Sequence, residues 1–169
     1  MPNEQHLNIL KKGVAHWNRF FKDNDRIKAD FRGAKLNGFD LREAVMDEAD
    51  LGGADLTGAN LTGGKFKRAN FNDAILQTAE AIDTRFIGSN FVRTKLTGAI
   101  LERASFAGAN LTLADFTDAD LSRASLSGAW VSMTKMRGAR LDGADLSRSR
   151  FMDADLTDAT LVRADLKFA

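Results

Sequence analysis

The chain has 169 residues, with 24 basic against 23 acidic side chains and a formal net charge of +1, so its totals exclude a strong field aimed at nucleic acid or an anionic membrane. It has no cysteine and two histidines, His6 and His16, which excludes disulfides and thiolate metal sites and leaves too few imidazoles for a zinc cluster. No run of about 18 apolar residues exists to span a bilayer, and charges interrupt the N-terminal stretch too often for a secretory signal; a cytoplasmic protein without a cofactor is expected.

The first element predicted is a helix. Leu7, Leu10, Val14, Trp17 and Phe21 follow spacings of three and four and form one stripe. The spacing predicts a single helix from about Asn3 to Phe21, with Asn3 as its N-cap. Gly13 inside it costs about 1 kcal/mol relative to alanine. Such a stripe can cover the end of a core or lie on a membrane surface. The first use is expected here, with residues 1–28 forming a capping helix and linker.

From Phe31 to Leu166, every fifth position gives 28 sites: sixteen Leu, eight Phe, two Met, Val131 and Ala81. Two places earlier, 21 of the 28 are Ala; the others are Phe39, Gly64, Thr84, Ser89, Thr94, Thr134 and Ser149. The frame never slips, and a fixed period is the signature of a repeat architecture. No α-helix explains it, because five residues turn a helix about 500° and scatter the leucines. No straight strand explains it either, because residues five apart point to opposite faces. The period demands a short extended segment and then a corner. Ala54 and Leu56 share the inner face, Asp55 points out, and Thr57-Gly58 turn the chain. Glycine recurs at the last turn position, where positive φ is convenient. Other units place Arg, Asp or Glu there, which predicts more than one turn type.

Four quarter-turn corners close a square coil of 20 residues, so 28 units make about seven coils, roughly 34 Å tall at strand spacing. Phe66, Phe86 and Phe106 then stack on one inner face, and Phe71 and Phe91 on another. Ala81 falls where a large side chain is due, and Ile75, Ile82 and Ile87 point outward nearby. The least regular coil is expected there.

The units ADL (54–56), ANL (59–61) and ANF (69–71) resemble the pentapeptide-repeat family, written A-(D/N)-L-X-X. The resemblance covers residues 29–169. It implies an all-β solenoid, a right-handed quadrilateral parallel β-helix with Leu or Phe and the preceding Ala inside. Family members often carry an N-terminal helix with a Trp-Asn pair like Trp17-Asn18. The gyrase-protecting branch of the family dimerises through its C-terminal ends, which implies a homodimer here through Leu161, Leu166 and Phe168.

No catalytic constellation is visible. The histidines lie outside the repeat, the serines have no base beside them, and the Asp and Asn residues before each central Leu suit turn hydrogen bonding. Function is therefore expected on the outer walls, as a non-enzymatic scaffold for another protein. Val92, Leu113, Trp130, Met133 and Met152 form a candidate apolar patch. Lys65, Lys67, Arg68 and Arg85 form a candidate basic patch. The alternative implied by the resemblance is a DNA mimic that binds gyrase. Residues 29–169 carry 20 acidic and 18 basic side chains, interleaved on every wall, with a local acidic stripe at Asp115, Asp118, Asp155 and Asp158. Direct nucleic-acid binding is not expected.

Overall fold

The structure, a computed structural model, describes residues 1–24 and 27–169. Two helices open the chain, α1 (Glu4–Leu10) and α2 (Val14–Asp23). The single helix expected over residues 3–21 is thus broken. Gly13 takes φ 104° and ψ 158°, a conformation that only a residue without Cβ adopts freely, and the chain turns back there. Asn3 caps α1 by accepting the His6 amide on its side chain at 3.2 Å. None of the described helices is long and apolar enough to cross a membrane.

After the helices, every fifth residue from Asp30 bridges the residue 20 places on, in parallel. The bridges fall into four columns, beginning at Asp30, Lys35, Asp40 and Val45, and each column runs up one wall of a four-sided coil. Each central residue from Phe31 to Leu146 donates its amide to the carbonyl one coil above, as Leu56 does to Ile75 at 2.7 Å. Each residue before it donates to the coil below, as Asp55 does to Ala34 at 2.9 Å. The described core is the repeat's inner positions from Ala29 to Leu146, joined by Leu10 and Trp17. Aromatic rings stack up the inside as the register demands: Phe66 on Phe86 at 5.6 Å, Phe86 on Phe106 at 5.0 Å, and Phe71 on Phe91 at 4.7 Å.

The corners share one sign of φ, and the expected departure from a single turn type is confined to the corners after Val131 and Phe151, where the turn bond is not formed among the described residues. All 28 last-turn residues have positive φ, from 52° at Met133 to 70° at Gly63, although only 11 are glycine. At most corners the residue after the turn donates its amide to the central carbonyl, as Ala54 does to Leu51 at 3.0 Å. That bond, with positive φ at the third residue alone, defines a type II turn. The ladders above and below hold each corner, and they override the roughly 1 kcal/mol that a side chain loses in this region. Outward Asp and Asn side chains brace the same corners: Asp55 Oδ1 accepts the Thr57 amide at 3.0 Å, and Asn60 Oδ1 accepts that of Thr62 at 3.0 Å.

The coil around Ala81 is regular, which corrects the expectation of a distortion. Its bridges, Asn60 to Glu80 and Glu80 to Ile100, keep the 20-residue register. Phe71 and Phe86 lie in the same coil and meet edge to face at 5.5 Å, so two large rings share the interior with the one small residue. Where Ser or Thr replaces the inner Ala, its buried hydroxyl finds a carbonyl, one coil down at Thr84, Ser89, Thr94 and Thr134 and within its own corner, at Leu146, for Ser149. Thr84 Oγ1 donates to Leu61 O at 2.8 Å, Ser89 Oγ to Phe66 O at 2.6 Å, and Thr94 Oγ1 to Phe71 O at 2.7 Å. Gly64 differs for a steric reason. A Cβ there would lie 2.6 Å from Phe66 Cε2 and 2.8 Å from the Leu61 carbonyl.

The helices meet the first coil through side chains that complete its edge. Trp17 is fully buried, lies 5.1 Å from the Phe31 ring and donates Nε1–H to Val45 O at 2.8 Å. Asn18 accepts the Val45 amide at 2.8 Å and donates to Glu43 O at 2.9 Å. His6, 5% exposed, accepts the Asp30 amide on Nδ1 at 3.1 Å. An accepting Nδ1 requires the neutral ring with its proton on Nε2. Burial accordingly pushes its pKa below the usual histidine value, against the opposing pull of the Asp30 carboxylate.

Candidate functional site

The Asp30 wall changes character toward the C-terminal end. Its bridge column runs Asp30, Asp50, Asn70, Asn90, Asn110, Trp130 and Arg150. Trp130 is 50% exposed, and the Arg150 guanidinium lies over its ring at 4.7 Å. Leu113 and Met133 occupy successive corners of this wall with φ 62° and 52°, and both are exposed. Met152 is 64% exposed, and its carbonyl accepts the Met133 amide at 2.6 Å. Leu113, Trp130, Met133 and Met152 therefore stand together as one exposed apolar face with Arg150 at its edge. Val92 does not join them. It is half-buried, and Thr112 and Ser132 occupy the two coils between it and Met152. Arg150 was absent from the expected patch, although its position 20 residues after Trp130 was the signal.

This face also has loosened corners. Among the described residues, the turn bonds from Thr134 to Val131 and from Ala154 to Phe151 are not formed, whereas the corresponding bonds from Ala114 to Leu111 and from Ala109 to Phe106 are, at 3.0 and 2.9 Å. A branched or long apolar side chain in the left-handed region is uncommon and points to strain held by its surroundings. Here that geometry aims Leu113 and Met133 away from the core.

The basic residues share the Val45 wall. Lys65 and Arg85 are bridge partners, and with Lys67, Asp47 and Ile87 they line a recess of about 280 Å³. Arg68 is turned aside to the corner, where it pairs with Glu48 one coil below. Similar corner pairs join Arg93 to Asp73 at 2.7 Å and Arg103 to Asp83 at 2.8 Å. Arg42 is hydrogen-bonded to the Asp40 carboxyl and holds it down to about 2. These pairs are exposed and screened by solvent, so they neutralise the surface more than they stabilise it. On the Lys35 wall, Asp115 and Asp155 alternate with Lys95 and Lys135 in one column. The acidic stripe expected there is interrupted at every second coil.

The last coil is open. Phe151, Leu156 and Leu161 are half-buried, while Leu166 and Phe168 are exposed, Phe168 at 84%. The amides of Phe151, Leu156, Leu161 and Leu166 have no hydrogen-bond partner among the described residues. Among the described residues, no group of three or more His, Cys, Asp or Glu side chains could hold a metal.

The period, the four bridge columns and the left-handed corners describe one architecture, and a family model decides which. The model described as pentapeptide repeats matches in 8 copies, over residues 27–63, 65–103, 99–138 and 134–167. The chain belongs to the pentapeptide-repeat family. A search of curated proteins found no match. Among solved structures, the chain is similar to HetL, a pentapeptide repeat protein involved in heterocyst differentiation regulation from the cyanobacterium Nostoc, at 21% identity over 87% of this chain and 95% of that one, TM-score 0.27. It is similar to QnrB1, a plasmid-mediated fluoroquinolone resistance protein, at 18% identity over 78% and 87%, TM-score 0.35. A further pentapeptide repeat protein from Nostoc matches at 23% identity over 88% and 94%, TM-score 0.36. No enzyme family appears among these matches. The repeat scaffold is common to all of them; what each binds belongs to that protein.

Proposed function

We propose that this pentapeptide-repeat protein is a non-enzymatic scaffold that binds another protein through the Leu113–Trp130–Met133–Met152 face. The carrying observation is Trp130, half exposed in a column otherwise filled by Asp, Asn and Arg, with three exposed apolar side chains around it. Tryptophan is enriched at interface hot spots, and contiguous exposed apolar surface tends to mark interaction sites. A seven-coil, right-handed quadrilateral rod closed at one end by α1 and α2 is already ordered, so binding would cost little conformational entropy. The expected result is that Trp130→Arg/Met133→Glu keeps its folding stability within about 0.5 kcal/mol and loses a partner that wild type captures from lysate. Equal capture by both proteins, at matched stability, would remove this face from consideration.

Charge weighs against a rod that imitates duplex DNA, since Lys95 and Lys135 interrupt the Lys35 wall and arginines answer the corner acids. The open last coil supports a tail-to-tail homodimer, with Leu161, Leu166 and Phe168 buried between two copies. At high salt, Leu166→Asp/Phe168→Asp is expected to sediment as monomer where wild type sediments as dimer. Unchanged sedimentation would end this reading.

A further inference from the structure

On three walls, opposite charges meet within the chain or are diluted by neutral residues. The Val45 wall is different. Its bridge column runs Val45, Lys65, Arg85, Ser105, Ser125, Asp145 and Asp165. Two cations stack at one end, two carboxylates stack at the other, and two serines lie between. Like charges directly opposed across a ladder are destabilising. No ion pair involving Lys65, Arg85 or Asp145 is formed among the described residues, and Asp165 meets only Lys167, at 3.7 Å. The segregation therefore works against the folded chain taken alone.

From this column we infer that the Val45 wall is a self-complementary surface on which a second copy of the chain docks antiparallel. A two-fold axis between the coils of Ser105 and Ser125 reverses the order of heights. Lys65 then faces Asp165 of the second copy, Arg85 faces Asp145, and Ser105 faces Ser125; the same contacts repeat on the other side of the axis, as an isologous interface requires. The centre of the wall suits close approach on its far side: the corner positions that follow the two serines are Ala107, Gly108, Ser127 and Gly128, all small. The same register clears the helices. Their bonds reach Val45, one coil beyond the level that the second copy's last coil would reach. One contact is unfavourable. Lys67 meets Lys167 in the neighbouring column, so replacing Lys67 with an acid should strengthen the pairing.

The paired wall is narrow and about 24 Å long between Lys65 and Asp165, five strand spacings. Such an interface falls below the area of a stable dimer, so the association is weak and its charges are screened by salt. Sedimentation velocity at about 100 µM chain, a concentration suited to a small interface, tests it at low and high salt. Wild type is expected to self-associate at low salt and to lose this association when salt is raised. Lys65→Glu/Arg85→Glu and Asp145→Lys/Asp165→Lys should each weaken it about tenfold or more. An equimolar mixture of the two variants should regain it, because the charges of the bridge column are then all acidic in one variant and all basic in the other. Lys67→Glu should shift the midpoint to lower concentration. Recovery in the mixture cannot come from misfolding, and Leu166→Asp/Phe168→Asp separates this surface from the open end. A monomeric wild type at low salt, or no regained association in the mixture, overturns the inference.

Discussion

Trp17→Ala is expected to cost about 3–5 kcal/mol, the usual loss for a large aromatic removed from a core. Trp17 is wholly buried between α2 and the first coil, within 5.8 to 5.9 Å of His6, Phe20 and Phe21 and 5.1 Å of Phe31. Its loss removes that packing and leaves the Val45 carbonyl without the Nε1–H donor. The effect should also be local in its first stage. A solenoid is stabilised coil by coil, so the first coil should open before the rest. Hydrogen exchange at the Val45 amide, which Asn18 accepts, should quicken more than exchange at the Leu121 amide in the middle of the rod. A stability loss below about 1 kcal/mol would mean that the helices contribute little to the fold.

Gly64→Ala is the second prediction, and it runs against the repeat's own rule. Alanine fills 21 of the 28 equivalent positions, and glycine normally weakens a strand. At this one site the added Cβ would meet Phe66 Cε2 at 2.6 Å and the Leu61 carbonyl at 2.8 Å. Neither can retreat easily. The Phe66 ring is packed against Phe71 at 5.6 Å and Phe86 at 5.6 Å, and Leu61 O accepts the Thr84 hydroxyl. Overpacking of this kind costs about 1–3 kcal/mol. Denaturant unfolding should show that loss in Gly64→Ala. A Gly64→Ala/Phe66→Leu double variant should be less destabilised than the two single losses added together, with a coupling of about 1 kcal/mol or more. Strict additivity would mean that the ring is not what excludes the methyl group.

The sequence pattern made the inside and outside of the rod legible, because a constant interval of five allows one arrangement of facing directions. The 20-residue register places Phe66, Phe86 and Phe106 on one inner face, and the rings are stacked there. The sequence also identified Asn3 as a cap, since a side-chain acceptor before an apolar stripe has a fixed local geometry. What escaped were features decided by neighbours distant in sequence. The stripe of α1 and α2 reads as one helix, and only the demand to reach both Asp30 and Val45 breaks it at Gly13. The corners look heterogeneous because glycine is common but not universal; the ladders impose one sign of φ on glycine, arginine and leucine alike. Ala81 looks like a defect in a one-dimensional string, yet its coil is filled by phenylalanines five and ten residues away. The outer apolar face was legible as a register argument for Leu113, Trp130, Met133 and Met152. It failed for Val92, whose distance along the rod counts in coils and not in residues.

Chain length and viewing direction are a single variable in this molecule. Five residues carry the backbone from one wall to the next, and twenty bring it back. Removing one pentad between Leu121 and Leu126 would leave every remaining unit consistent with the repeat, yet Trp130 would take the place of Ser125 and turn its neighbours a quarter circle onto the Val45 wall. Removing four pentads would shorten the rod by one storey and restore every heading. Gains or losses of one to four residues would exchange interior for exterior. Whole units are thus the only currency in which such a rod can be lengthened or trimmed, and their number modulo four sets where each face looks.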